Sequence, residues 1–388
     1  MSFLRADLAH PPAKEQLEIT VFGPGFGESV VLHVPGIGWG VIDCCELTIE
    51  GRHVVPPLDY LTNLLCAPYP KLAFVILTHP HKDHYSGMDD LLTKYPGGTE
   101  RVCLYTGRGT RELRMYLIQQ RIGYRYDLPG LLNVFTAIDN AVRKGASARK
   151  LSEMTTVVER RDVSIAGIGS VDVSLMALSP SAQSADRYVD KLFEAFPKTG
   201  QPLKPVSDPD IHNLISVALV LKAGRVQVIL GSDLETGARD GATGWRAVVS
   251  NRDCPNLHAN FVKVAHHGSV TGFSEEAWER HCAAGKPLAV VTPFVTGSVI
   301  LPRSVDVERI GKIANRVGIT STIQVTDNLN KFYSREIVQS IKHRTRSMKV
   351  VKPQEEIGFL RSRFLLDGTI VENVAQSPAR WLSPETPA

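Results

Sequence analysis

The segment VILTHPHKDHYSG, residues 75–87, places His79, His81, Asp83 and His84 within six positions, directly after an apolar run. In an extended segment two residues apart, His79 and His81 can direct their imidazoles the same way. Asp83 and His84 follow where a turn begins and can serve a second, neighbouring position. Imidazole with carboxylate is a ligand set that suits zinc, with manganese or iron as alternatives. With 12 histidines in 388 residues, three in six positions is not the pattern of an incidental polar turn. Paired histidines recur at His266 and His267 in FVKVAHHGS, and Asp233 closes the apolar run VQVILGSD.

These polar residues stand where predicted strands end. QLEITVFGPGFGESVVLHVPG and GWGVIDCCELT read as strands separated by Gly/Pro turns. A helix is expected in PLDYLTNLLCAP, a buried strand in KLAFVILT, a helix in GMDDLLTKYP and a short strand in RVCLYTG. TRELRMYLIQQRIG, LLNVFTAIDNAVRKGA and SADRYVDKLFEAFPK have helical spacing, and VDVSLMALSPS reads as a strand. PKTGQPLKPVSDPD reads as a loop. Strands return in LISVALVLKAGRVQVILGSD, NFVKVAHHGS and LAVVTPF, then the amphipathic helix SVDVERIGKIANRVG leads to TSTIQVT. Blocks of strands, helices and strands suit a layered α/β domain with two sheets and outer helices. No internal repeat is visible.

Composition is that of a water-soluble globular chain, 43% hydrophobic and 22% charged, with no apolar run near the roughly 20 residues that span a bilayer. The first residues lack the apolar core of a signal peptide, and cytoplasm is the expected location, with no membrane partner. The six cysteines have no C-x-x-C pair and read as reduced thiols. A net charge of +4 permits an anionic substrate without demanding one.

The H-x-H-x-D-H pattern after a buried strand resembles the metallo-β-lactamase superfamily. The resemblance implies an αββα four-layer sandwich with two metal ions, zinc first, where the sheets meet. It gives Asp43 in GVIDCC the place of an aspartate that orients loop residues without binding metal, although cysteines follow it where small residues are usual. It gives Asp233 the place of a metal-bridging carboxylate. GSD combined with HHGS resembles more narrowly the branch that holds the hydrolase domain of the DNA-uptake protein ComEC and the phosphorylcholine esterases. That likeness covers roughly residues 17–108 and 206–328. The metal ligands implied are His79, His81, Asp83, His84, Asp233 and one of the paired histidines. His267 is favoured as the ligand and His266 as a substrate or oxyanion contact, with Gly268 N–H and the Ser269 hydroxyl near a phosphoryl oxygen. Many members carry a further histidine completing the first metal position, and His212 is the one histidine between His84 and His258 that can supply it, with Asn213 beside it.

The expected domain is residues 15–335, with a variable helical segment at about 109–205, followed by a basic extension, 336–388, holding a hairpin at Asp367-Gly368 and a flexible tail. The expected activity is hydrolysis by a metal-activated hydroxide, with Asp83, His266 and Asp233 as catalytic groups. A phosphodiester in nucleic acid or a nucleotide is the first substrate class. Basic stretches at KHRTRSMKVVK and RGTRELRMYLIQQRIGYRY can neutralise phosphates. The alternatives are an ester, thioester or lactone hydrolase, which needs an apolar acyl pocket, and a binding or regulatory subunit of weak catalytic power.

Overall fold

The computed structural model describes residues 4–105, 113–114, 128–195, 209–282, 285–296, 299–321, 325–326, 350–351 and 357–382. Both basic stretches, the predicted helix TRELRMYLIQQRIG and most of the loop 197–210 lie outside the described residues, apart from isolated pieces.

Two eight-stranded mixed sheets carry the fold. The first comprises β1 (Leu17–Phe22), β2 (Ser29–Val34), β3 (Gly38–Ile42), β4 (Phe74–Leu77), β5 (Arg101–Leu104) and β6 (Ser147–Lys150). The second comprises β7 (Thr156–Ile165), β8 (Gly169–Ala177), β9 (Leu219–Ala223), β10 (Val226–Leu230), β11 (Phe261–Lys263), β12 (Leu288–Val291) and β13 (Arg316–Ile319). Late strands complete both. β14 (Phe359–Phe364) and β15 (Ile370–Gln376) extend the first beyond β1, and β16 (Arg380–Trp381) pairs with β13. The hairpin expected at Asp367-Gly368 is the β14–β15 turn.

Each sheet is built by the same rule. Antiparallel strands β1 to β3 are followed by β4, β5 and β6, all parallel to β3. Antiparallel strands β7 to β10 are followed by β11, β12 and β13, all parallel to β10. Parallel strands are covered on both faces, which is why FVIL of β4 and LAVV of β12 are apolar throughout and wholly buried. At Gly40 of β3 a Cβ would stand 2.2 Å from the Phe74 ring, so the close strand contact there requires glycine.

The main core lies between the sheets and runs on to the helices behind the first one, with Leu17, Ile19, Tyr60, Phe74, Phe135, Leu219, Val228 and Phe359 in one cluster. Behind the second sheet, Ile229 and Val262 meet Trp245 and Val248 of the helix Gly244–Ser250, while Ala289 and Val317 meet Val307 and Ile310 of the helix Ser304–Ile313. The result is the expected α/β sandwich of two sheets flanked by helices. No helix among the described residues is long and apolar enough to cross a membrane.

Two expectations shift. The strand expected in VDVSLMALSPS is β8, but its hairpin partner β7 was not expected, because much of it is solvent-facing and lacks an apolar alternation. The helix Ser304–Ile313 ends early enough for a strand, Arg316–Ile319, to precede TSTIQVT, whose last two residues, Val325–Thr326, also form a strand and whose residues 322–324 lie outside the described residues.

Candidate metal centre

All but His212 of the candidate ligands sit just past one of the two strands that flank the antiparallel-to-parallel switch of a sheet. Asp43 follows β3 and the His79–His84 loop follows β4; Ser232 and Asp233 follow β10, and His266 and His267 follow β11. Open sheets gather ligands at such switch points, because the following chains turn away to opposite sides. The turns are tight enough that Asp43, Ser232, His266 and His267 all take left-handed backbone angles, with φ of 56°, 45°, 49° and 53°. Such strain in non-glycine residues costs about 1–3 kcal/mol each and concentrates at functional sites.

Side chains from the two sheets converge in two groups that share one carboxylate. In the first, His79 Nε2 lies 3.0 Å from His81 Nδ1 and 3.8 Å from Asp233 Oδ2. In the second, His267 Nε2 is 3.2 Å from Asp83 Oδ2 and 3.5 Å from Asp233 Oδ2, and His84 Nε2 is 3.4 Å from that same Asp233 oxygen. His84 Nε2 and Asp233 Oδ1 are fully buried with no hydrogen-bond partner among the described residues. Orphaned buried polar atoms are costly, and a cation ligated by both would satisfy them. Ligand atoms of His79, His81 and Asp233, and of His84, His267, Asp233 and Glu28, converge closely enough to hold an ion, and Asp83 adds a carboxylate 3.2 Å from His267; the set fits one or two metal ions of the zinc type.

The rear of the site sets the imidazole tautomers. His267 Nδ1 lies 3.0 Å from the Thr292 carbonyl oxygen, which can only accept, so Nδ1 carries the proton and Nε2 presents its lone pair forward. His84 Nδ1 donates to Asp43 Oδ2 at 2.7 Å with the same result. Asp43 also accepts from Thr78 N–H at 2.8 Å and from Thr78 Oγ1 at 2.6 Å, so it pins the start of the histidine loop. A chain of hydroxyls crosses between the sheets. Asp233 N–H donates to Ser216 Oγ, Ser216 Oγ to Ser232 Oγ, and Ser232 Oγ to Thr78 Oγ1, at 3.0, 3.0 and 2.6 Å.

Glu28 lies close to the second group but on its far side. It is 3.8 Å from the Nδ1 atoms of both His84 and His267, and it is ion-paired with the buried Lys263 and accepts from Thr292 Oγ1 at 2.7 Å. Since both Nδ1 atoms already serve as donors, Glu28 is an outer carboxylate and the ligating atoms face Asp83 and Asp233.

Electrostatics agree with this layout. Burial depresses His79 well below the ordinary imidazole value, with His84 and His81 adding to it. Burial opposes the charged form of His84 too, but Asp233, Asp83, Asp43 and Glu28 overcome it and raise His84 well above the ordinary value. His267 is raised to about 9, against burial, by Asp233 and Asp83. Asp233 is held well below the carboxylate range despite burial, by His267 and His84. A pocket this rich in carboxylates stabilises positive charge, supplied by a proton or by a metal.

The other predicted residues divide. The His212 ring lies 5.2 Å from that of His81, nearly perpendicular to it, and its Nδ1 is 3.1 Å from the Tyr188 hydroxyl. Desolvation, then His81, keeps His212 well below the ordinary imidazole value, hence neutral. It borders the first group without joining its closest contacts. Asn213 beside it is buried, with Oδ1 unpartnered among the described residues. His266 stands at the rim, where its Nδ1 meets Thr271 Oγ1 at 3.0 Å and the Glu235 carboxylate at 3.4 Å. The N–H of Gly268 is engaged within its own turn, donating to the Ala265 carbonyl, while Ser269 Oγ accepts from Thr271 N–H and lies 3.1 Å from Thr271 Oγ1. Sequence reasoning missed Glu28, Lys263, Thr78 and Thr292. The one available signal was Lys263, a lone charge inside the apolar strand FVKVA.

No protein-family model matches the chain, and no curated protein does either. Among solved structures it is similar to the metallo-beta-lactamase fold protein YhfI from Bacillus subtilis. The identity is 12%, over 79% of this chain and 96% of that one, with a TM-score of 0.37. It is also similar to Zn(2+)-bound PqqB from Methylobacterium extorquens, at 10% identity over 63% and 71% of the two chains, TM-score 0.29. The geometry above stands independently of these likenesses.

Proposed function

We propose that the chain is a two-metal hydrolase of phosphodiesters, acting on nucleic acid or a nucleotide, with zinc as its metal. The observation that carries the reading is the placement of Asp233 Oδ2 within 3.8 Å of His79, His84 and His267 nitrogens from both sheets, beside the unpartnered His84 Nε2. A metal pair bound there would activate water and polarise a phosphoryl oxygen.

The chain's own groups have distinct tasks. Asp233 bridges the two halves. His79 and His81 hold one, and Asp83, His84 and His267 hold the other. Asp43 and the Thr292 carbonyl keep His84 and His267 in the ligating tautomer. Asp83 also orients the attacking water, and His266, steadied by Thr271 and Glu235, contacts the substrate from the rim. His212 is an outer candidate for completing the first half.

The narrower likeness of GSD and HHGS to the ComEC-type branch supports a phosphodiester over an acyl chain. A cavity of about 550 Å³ borders Glu235 and Thr271, the partners of His266; it is lined by two cations, Arg187 and Lys191, two anions, Asp190 and Glu235, and by Leu214, and so favours neither substrate class. The test is metal content of protein purified without chelators, with turnover of bis-(p-nitrophenyl) phosphate and of p-nitrophenyl acyl esters. About two equivalents of metal and phosphodiester turnover are expected. Turnover of acyl esters alone would assign the ester hydrolase, and a metal-free, inert protein the binding subunit.

A further inference from the structure

A column of rings leads from the metal centre to the surface on the side of His267. The His267 imidazole is stacked on Phe294, with centroids 4.8 Å apart and planes at 22°. Phe294 is stacked in turn on Phe26, at 5.6 Å and 27°. Phe26 ends the column and is 38% exposed. A single exposed apolar residue is ordinary on a protein surface. This one differs because it is continuous, ring on ring, with a predicted ligand.

It is also held firmly. Glu28 N–H donates to the Asp83 carbonyl at 2.9 Å, and Val295 N–H donates to the Gly25 carbonyl at 2.9 Å. The turn Gly25-Phe26-Gly27 is thus latched both to the Asp83 loop and to the segment that carries Phe294. Gly27 has φ of +92°, and a Cβ there would stand 2.7 Å from the Cys45 Cβ and 2.8 Å from the Asp83 carbonyl oxygen. The latch therefore depends on glycine, and it places the Phe26 ring at a set position relative to Asp83 and His267.

The geometry points to Phe26, backed by Phe294, as a stacking platform for a nucleobase of the substrate, next to the phosphodiester held at the metal centre. The inference rests on the phosphodiesterase reading of that site and names its substrate as nucleotidic. A ring face receives any base by stacking, so the platform recognises the presence of a base and discriminates weakly among bases. The charged cavity borders His266 through Glu235 and Thr271, whereas the column borders His267, so the two features meet the centre at consecutive residues.

The test is calorimetric titration of AMP and of ribose 5-phosphate into the metal-loaded full chain. The two probes share the phosphate and differ by the base. AMP is expected to bind about 5- to 150-fold more tightly, the range of one base–aromatic stack. Phe26→Ala should erase most of that ratio and Phe26→Trp should retain it. Equal affinities in the native protein, an unchanged ratio in Phe26→Ala, or no binding of either probe would each overturn the platform. Hydrolysis is read separately. An AMP preference without turnover of bis-(p-nitrophenyl) phosphate leaves the platform standing and removes the hydrolase reading, and turnover without the preference does the reverse.

Discussion

Replacing Asp43 with Asn keeps the shape of a buried residue and should still unmake half of the metal centre. The native carboxylate accepts from Thr78 N–H, Thr78 Oγ1 and His84 Nδ1, at 2.8, 2.6 and 2.7 Å. An asparagine has one accepting oxygen, which stays with Thr78 N–H, and an NH2 that must then face His84 Nδ1. The NH2 donates, so His84 Nδ1 must accept, and the ring proton moves to Nε2. That nitrogen then has no lone pair for a metal. Losing a charge-assisted bond of this kind costs about 1.5–3 kcal/mol. At about 1.4 kcal/mol per tenfold, this is roughly a 10- to 150-fold change, in line with the 10- to 100-fold effect usual for an outer partner of a ligating histidine. Zinc titration against a competing chelator should show the Asp83–His84–His267 half weakened by that factor, with the His79–His81 half less affected. A thermal melt must show that the variant is folded. Native affinity for two equivalents in folded Asp43→Asn would refute the tautomer argument.

Other substitutions probe different links. Asp83→Ala should remove turnover in metal-replete protein with the fold intact by circular dichroism, and retained activity would sink its role. Asp233→Asn should lose at least one metal equivalent by elemental analysis and lower turnover about 100-fold or more, since both halves depend on that carboxylate. Lys263→Met strands the Glu28 carboxylate, and as both are buried the cost should be about 3–5 kcal/mol in denaturant unfolding. Adding Glu28→Gln should recover most of it, and additive losses would show that the pair is not coupled. For pH, His267 is raised from 6.5 to about 9 in the folded metal-free protein. A raised histidine stabilises fully below its unfolded value and loses that contribution as pH climbs through the folded one. The melting temperature of chelated protein should therefore fall between pH 6.5 and about 9, while metal-loaded protein, with a cation in place of the proton, should stay level.

Much of this was legible in the sequence because it is local. His79, His81, Asp83 and His84 are close neighbours in the chain, so their types and spacing announce metal chemistry without any fold. The central strands were readable because a strand covered on both faces must be apolar along its length, as FVIL and LAVV are. Strand β7 was not, although its partner β8 was, since the exposed residues of β7 carry no burial pattern to read.

What only the tertiary structure decided depends on residues distant in sequence. Which of His266 and His267 turns inward follows from two left-handed backbone angles and from the Thr292 carbonyl, and no spacing rule encodes either. Glu28 is unremarkable in sequence and Lys263 shows only as a lone charge in an apolar strand; the fold makes them a buried ion pair behind two candidate ligands, His84 and His267. The common plan of the two sheets, antiparallel strands followed by parallel ones, leaves no repeat in the amino acids. Backbone pairing is indifferent to side-chain identity, so the same plan can be written in unrelated residues. The chain alone determined that a cluster of metal-ligating residue types is present; the meeting of two sheet switch points determined that Asp233 stands between its two halves.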